Sequence, residues 1–184
     1  MKTGCSEKGF LNTDELPALP YIAGMMDRAG WICMGEEMEF KIMEANDAAS
    51  LAAFEIEARM TEPGILYGEI DAKKYAEVTI ERMADPLYSN TRVILAAHEG
   101  RIVGRCDFTV KGSFMDGFRS AYVDWIYVLK EHRHQKVGQG LIGYLESYLR
   151  EHQIEEYFLI TAHNQEAQSF YTHFKDYVRS EDWV

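Results

Sequence analysis

The 184-residue sequence predicts an α/β domain, a mixed and mostly antiparallel central sheet flanked by helices on both faces. Two observations lead there. Stretches that alternate apolar and polar residues interleave with stretches whose apolar residues recur at 3.6 spacing, in the order β-α-α-β-β-β-α-β-α-β. The composition, 47% hydrophobic and 12% aromatic, is rich enough to fill such a core without disulfides or metals.

Residues 1–37 show no clear period and read as an extension, with one short helix over 21–28. Residues 38–184 read as one domain. The alternation in Glu39–Glu44 predicts a strand, and Asn46/Asp47 then offers a helix cap. Leu51, Phe54 and Ala58 keep helical spacing through Ala48–Met60, until Pro63-Gly64 ends it. A second helix covers Asp71–Met83 and stops at Asp85-Pro86. Thr91–Ala97 and Ile102–Val110 form a hairpin around Glu99-Gly100. Ser120–Leu129 is a third long strand, 138–151 an amphipathic helix and Tyr157–Ala162 a buried strand. Asn164–Phe174 reads as a helix capped by Asn164, and Tyr177–Val184 as a last short strand.

Charge and composition exclude several classes. The formal net charge of −11 disfavours a nucleic-acid backbone as partner, and no run of about 18 apolar residues suits a membrane span. The first residues lack the apolar stretch of a secretion signal, and Cys5, Cys33 and Cys106 form no CxxC pair. The expectation is a cytoplasmic protein with reduced thiols. Residues 1–70 hold 5 basic against 13 acidic side chains, so this part faces either a cationic partner or only solvent.

Chemistry concentrates in Lys130-Glu-His-Arg-His-Gln-Lys-Val-Gly-Gln-Gly140, a basic loop in an acidic chain. It runs into a helix N-terminus, where free N–H groups and the positive dipole end favour a phosphate. Gly138 and Gly140 are expected to let an anion approach the main chain. Gly138-Gln-Gly-Leu-Ile-Gly143 also matches a dinucleotide fingerprint, but no apolar strand runs directly into it and no acid ends the next strand. His132 and His134 lack further ligands at zinc spacing, and no metal is expected.

At these residues the chain resembles the GCN5-related N-acetyltransferases, whose cofactor motif is a strand, then R/Q-x-x-G-x-G/A, then a helix. Two registers fit. Arg133-His-Gln-Lys136-Val-Gly138 carries the motif with Lys136 in place of the first glycine. Gln135-Lys-Val-Gly138-Gln-Gly140 carries it with both glycines. The first is preferred because it keeps Val128 five residues before the arginine. Asn164-Gln-Glu-Ala167-Gln-Ser-Phe170-Tyr171 is similar to the family's second signature, although Lys175-Asp176 replaces its usual Gly-Phe exit.

The resemblance covers about residues 38–184. It implies the acyl-CoA N-acyltransferase fold, acetyl-CoA as cosubstrate and an amine acceptor, a small cationic amine or a lysine-like one. It implies main-chain pairing of the pantetheine arm with Ile126 and Val128. The pyrophosphate then lies on the amides of His134, Gln135, Lys136, Val137, Gly138, Gln139 and Gly140, with Arg133 adding charge and Asn164 at the neighbouring helix start. Tyr171 is the expected general acid, its alternative being a core tyrosine. Asp124, expected among apolar and aromatic neighbours, is either a base or proton relay or a structural carboxylate. Two other functions stay open: a non-catalytic acyl-CoA-binding module on the same fold, and an unrelated phosphate-binding protein. With one short strand after the tyrosine helix, the sheet edge needs cover from residues 1–36 or from a second copy, so a homodimer is possible.

Overall fold

A computed structural model describes residues 11–12, 32–33, 38–62, 68–161 and 165–172. Strand β1 is Leu11–Asn12, β2 Ile32–Cys33, β3 Met38–Ile42, β4 Thr91–His98, β5 Arg101–Gly112, β6 Arg119–Val128 and β7 Glu156–Leu159. Helix α1 is Ala48–Thr61, α2 Ala72–Ala84, α3 Val137–Glu151 and α4 Gln165–Tyr171. The expected helix over 21–28, Asn164 and the strand Tyr177–Val184 lie outside the described residues.

The helix ends are where the local chemistry puts them. Glu44 and Asp47 cap each other around a single 3-10 turn, and α1 follows at Ala48. It ends at Thr61, two residues before Pro63. Asp71 Oδ1 accepts from the Lys74 N–H at 2.7 Å and starts α2.

The strands form one sheet in the order β1-β7-β6-β5-β4-β3-β2. Every neighbouring pair is antiparallel except β6 and β7. Those two are joined through α3, the crossover that a parallel pair requires. The fold is thus the mixed, mostly antiparallel sheet with helices on both faces that the sequence predicts. Two pairings are new: Leu11 and Asn12 pair with Tyr157 and Glu156, and Ile32 and Cys33 with Phe40 and Glu39. Segments of the extension therefore lie along both edges of the sheet and occupy its exposed ladder groups. The strand expected over Tyr157–Ala162 runs instead over Glu156–Leu159.

The core fills the space between α3 and the sheet and continues to α1, whose Leu51, Phe54 and Ala58 are also buried. Leu141, Ile142, Leu145 and Leu149 of α3 are buried with Phe40, Ile94, Cys106 and Phe108. The approach of α3 to the sheet needs small residues. A Cβ on Gly140 would stand 2.2 Å from Phe40 Cζ, and one on Gly104 would stand 3.2 Å from Val137 Cγ1. Gly140 is therefore a packing residue, and the space it leaves belongs to Phe40 rather than to an anion. Gly140→Ala is expected to lower the urea unfolding free energy by about 1–3 kcal/mol, the cost of overpacking. Shrinking the ring in the double variant Gly140→Ala/Phe40→Leu is expected to cost less than the sum of the two single changes.

Candidate active site

Val123 and Leu159 are the last paired residues of β6 and β7. Beyond them β6 runs on to Val128 with nothing from β7 beside it among the described residues. The Leu129 N–H donates to Val103 C=O on the other side at 2.9 Å. By strand alternation, the peptide groups of Ile126 and Val128 then face the vacated edge. These are the two residues expected to pair with an extended ligand.

The same strand leads through a turn at Lys130–His132 into α3. His134 and Lys136 both hold left-handed backbone, φ 61° and 65°. Lys136 is the residue before α3, and a left-handed residue followed by a helical one turns successive N–H groups to one side, a geometry that receives anions. The first bond of α3 closes from Gly140 N–H to Lys136 C=O at 2.9 Å, so helix geometry leaves the N–H groups of Val137, Gly138 and Gln139 unused by the helix. Glycine takes φ near +65° without strain, and the residue there is Lys136, which stands for the first glycine in the Arg133 register. Gly138 has a packing reason as well: a Cβ there would stand 2.8 Å from Phe170 Cε2 of α4. The Gln135 side chain donates to Glu131 C=O and closes the loop on itself.

The Arg133 side chain does not offer the free charge expected of it. Its Nε donates to Val128 C=O at 3.1 Å. Nη1 and Nη2 clasp the two oxygens of Glu62 at 2.9 and 2.8 Å, and Nη1 also reaches Glu166 at 3.0 Å. The guanidinium lies 5.4 Å from the Tyr127 ring, and the Tyr127 hydroxyl donates to Glu62 at 2.9 Å. Arg133 holds the Glu62 carboxyl below its usual range, outweighing the opposing effect of burial. One side chain thereby ties together the residue after α1, the end of β6 and α4. Glu62 went unread in the sequence, since nothing local distinguishes it from the acids of the preceding helix α1.

Asp124 is the extra residue of a β-bulge. Asp107 pairs with Trp125 and Phe108 with Val123, which leaves Asp124 unpaired between them. It is exposed, against the expectation of apolar surroundings, because the bulge turns it out toward solvent. Its Oδ2 accepts from the Thr109 hydroxyl at 2.7 Å, and Thr109 lies 3.2 Å from the Thr91 hydroxyl.

Next to the bulge, on the face covered by α1 and α2, is a second carboxylate that the sequence reading missed. Asp107 Oδ2 accepts from Arg105 at 2.7 Å, while its Oδ1 is buried without a partner among the described residues. Arg105 also bonds Glu55 of α1 and Tyr75 of α2. Burial pushes the Asp107 carboxyl up to about 6 in spite of Arg105. The opposite charges two apart in Arg105-Cys-Asp107, hence on one strand face, were the available signal.

Tyr171, 9% exposed, closes α4 and lies near enough to Tyr157 for the two phenols to interact. Cys106 sits on the α3 face of β5, fully buried, and burial pushes its thiol far above the ordinary range. Among the described residues no group of three or more His, Cys, Asp or Glu could hold a metal ion, and no helix is long and apolar enough to cross a membrane.

Residues 55–175 match the model of the acetyltransferase (GNAT) family. The chain belongs to that family. Solved structures agree in fold with this acetyltransferase-family chain. An aminoglycoside acetyltransferase from an uncultured soil metagenomic sample superposes with a TM-score of 0.65 at 20% identity, covering 80% of this chain and 91% of its own. The ribosomal-protein-alanine N-acetyltransferase of Brucella melitensis biovar Abortus 2308 gives 0.62 at 18%, over 80% and 96%. A predicted acetyltransferase of Clostridium acetobutylicum, solved with acetyl-CoA, gives 0.56 at 14%, over 80% and 94%. No curated protein matches the GNAT chain by sequence alone.

Two outcomes are expected from these contacts. Arg133→Met, which leaves Glu62 without its partner, is expected to cost about 2–4 kcal/mol in urea unfolding at pH 7. The loss should diminish as pH falls below the ordinary carboxylate range, because protonation of Glu62, held below that range in the native state, removes the pair's contribution in the wild type. Asp107 has the opposite sign. Its raised value means that the native state binds the proton more tightly than the unfolded chain. The stability this confers is complete below the unfolded value near 3.8 and is lost as pH rises through about 6. Relative to the non-titrating Asp107→Asn, the wild type is therefore expected to lose on the order of 1–3 kcal/mol between pH 4 and 7.5.

Proposed function

We propose that this GNAT chain transfers an acetyl group from acetyl-CoA to a primary amine, by direct attack in a ternary complex, with residues 38–184 as the catalytic domain. The observation that carries the reading is the vacated edge of β6. It runs from the first turn of α3, with its unused N–H groups, to the carboxylate at the Asp124 bulge. An extended thioester with an anionic tail fits that line: charge at the helix N-terminus, amide arm along Ile126 and Val128, reacting end beside Asp124.

Acetyl-CoA brings the activated carbonyl and a thiolate leaving group. The Val128 N–H and the Ile126 peptide group hold the arm, while the Val128 carbonyl is already taken by Arg133. Asp124, on the open face, receives the proton that the acceptor ammonium must lose before nitrogen attacks. The Tyr171 phenol supplies a proton to the departing thiolate. Cys106 is unsuited to carry the acyl group, because it is buried and its thiol resists ionisation. Among the similar structures are an aminoglycoside acetyltransferase and a ribosomal-protein-alanine N-acetyltransferase, which favours an amine acceptor. The acidic N-terminal part favours a cationic one.

Thiol release from acetyl-CoA with an amine panel tests the reading. Initial rates are expected to give intersecting double-reciprocal lines; parallel lines, or an acetylated Cys106, would overturn direct transfer. Tyr171→Phe is expected to keep coenzyme A affinity while turnover falls by roughly 10²–10³, one general-acid contribution. Asp124→Asn is expected to lower turnover most at low pH. Coenzyme A binding without thiol release for every amine would leave the alternative, a non-catalytic acyl-CoA-binding module.

A further inference from the structure

Three side chains just below the point where β6 leaves β7 take no part in the chemistry described above. The Lys111 ammonium lies over two rings at once, 4.9 Å from the centroid of Tyr122 and 5.2 Å from that of Phe158. The two rings lean against each other, centroids 5.2 Å apart at an interplanar angle of 39°. Among the described residues Lys111 has no carboxylate within ion-pair reach, so the rings alone hold its charge. Tyr122 and Phe158 are half-buried, while Lys111 itself is exposed.

The register places this cluster on the same face as Asp124. Tyr122 is the partner of Thr109 across β5 and β6, and the Thr109 hydroxyl is the one that bonds Asp124. Phe158 is the partner of Tyr122 across β6 and β7, one pair before the strands part. Tyr122 and Asp124 are two residues apart along β6, a separation of about 6–7 Å. An aromatic pair that holds an ammonium and a carboxylate placed to receive another thus stand one pleat apart on one open face.

We propose that Tyr122 and Phe158 form a second cation subsite of the acceptor, specific for an amine that carries another ammonium about 6–7 Å from the reacting nitrogen. This rests on the amine-acetyltransferase reading above. In the unliganded chain Lys111 occupies the subsite with the chemistry the acceptor would bring, and it must swing aside when a diamine binds. Aliphatic diamines with four or five methylenes between their nitrogens have the matching span; shorter ones and monoamines engage one end only.

The test compares n-butylamine with the α,ω-diamines from 1,3-diaminopropane to 1,6-diaminohexane. Binding is read by calorimetry in the presence of coenzyme A, and KM by thiol release. The wild type is expected to bind 1,4-diaminobutane and 1,5-diaminopentane roughly three- to tenfold more tightly than butylamine, the range of one partly desolvated cation–π contact. Tyr122→Leu and Phe158→Leu are expected to abolish that preference and leave butylamine unchanged, whereas Tyr122→Phe retains it. Lys111→Met is expected to tighten the diamines severalfold by removing their competitor. Equal affinity for butylamine and the diamines in the wild type would overturn the subsite. So would a Tyr122→Leu effect equal on both, no change in Lys111→Met, or no amine binding at all. Calorimetry needs no turnover, so a diamine preference without thiol release would instead count against acetyl transfer and leave the subsite standing.

Discussion

Val123 and Leu159 are the last residues at which β6 and β7 share a ladder, and the backbone beyond them dictates much of the site. A strand interior whose peptide groups lose their partner must find another, from solvent, a side chain or a ligand. The protein answers part of that demand itself. Arg133 reaches back five residues to the Val128 carbonyl, while among the described residues no strand lies beside the Val128 N–H and the Ile126 peptide. The bulge at Asp124 sits at the same divergence, so the place where pairing stops is also where a carboxylate turns outward.

Arg133 is the second constraint. A guanidinium held by a carbonyl, a bidentate Glu62, Glu166 and an aromatic face has its donors committed to protein. Its worth lies in geometry: the fork fixes α1, β6 and α4 relative to one another in a way that a lysine's single ammonium would not. In the proposed reading, anion binding falls to the backbone N–H groups at the start of α3, which need no mobile charge and lose little entropy on binding. The glycines on α3 serve this arrangement indirectly. Phe170 closes over Gly138 and Phe40 presses against Gly140, so the helix N-terminus is held in place by two rings.

The face of the sheet on which α1 and α2 pack has a different electrostatic character from the cradle. Glu55 and Asp107 gather around Arg105, and burial outweighs Arg105's attraction at Asp107. Farther along the same face, aromatic surface takes over, with Lys111 already resting on it. Under the proposed reaction, an anionic ligand tail on one side of β6 and a cationic acceptor on the other would meet at the strand's free edge. That division is the physical content of the proposed reaction.

The sequence by itself determined most of the elements and marked the loop before α3, while the short strands Leu11–Asn12 and Ile32–Cys33 went unread. The 3.6 spacing of Leu141, Ile142, Leu145 and Leu149, the turn at Glu99-Gly100 and the basic loop before α3 are local signals, and local chemistry decides them. Ile126 and Val128 came from the family resemblance, and alternation counted from the Leu129 N–H places their peptide groups along the vacated edge of β6. Tertiary structure alone decided the rest. The exposure of Asp124 follows from a one-residue bulge that depends on how β5 pairs, and no local pattern marks it. Glu62 lies 71 residues from the arginine it holds. Gly140 looked like a site for an anion and proved to be room for Phe40, 100 positions earlier in the chain. In each case the deciding neighbour is remote in sequence, and only the assembled sheet with its packed helices brings it within contact distance.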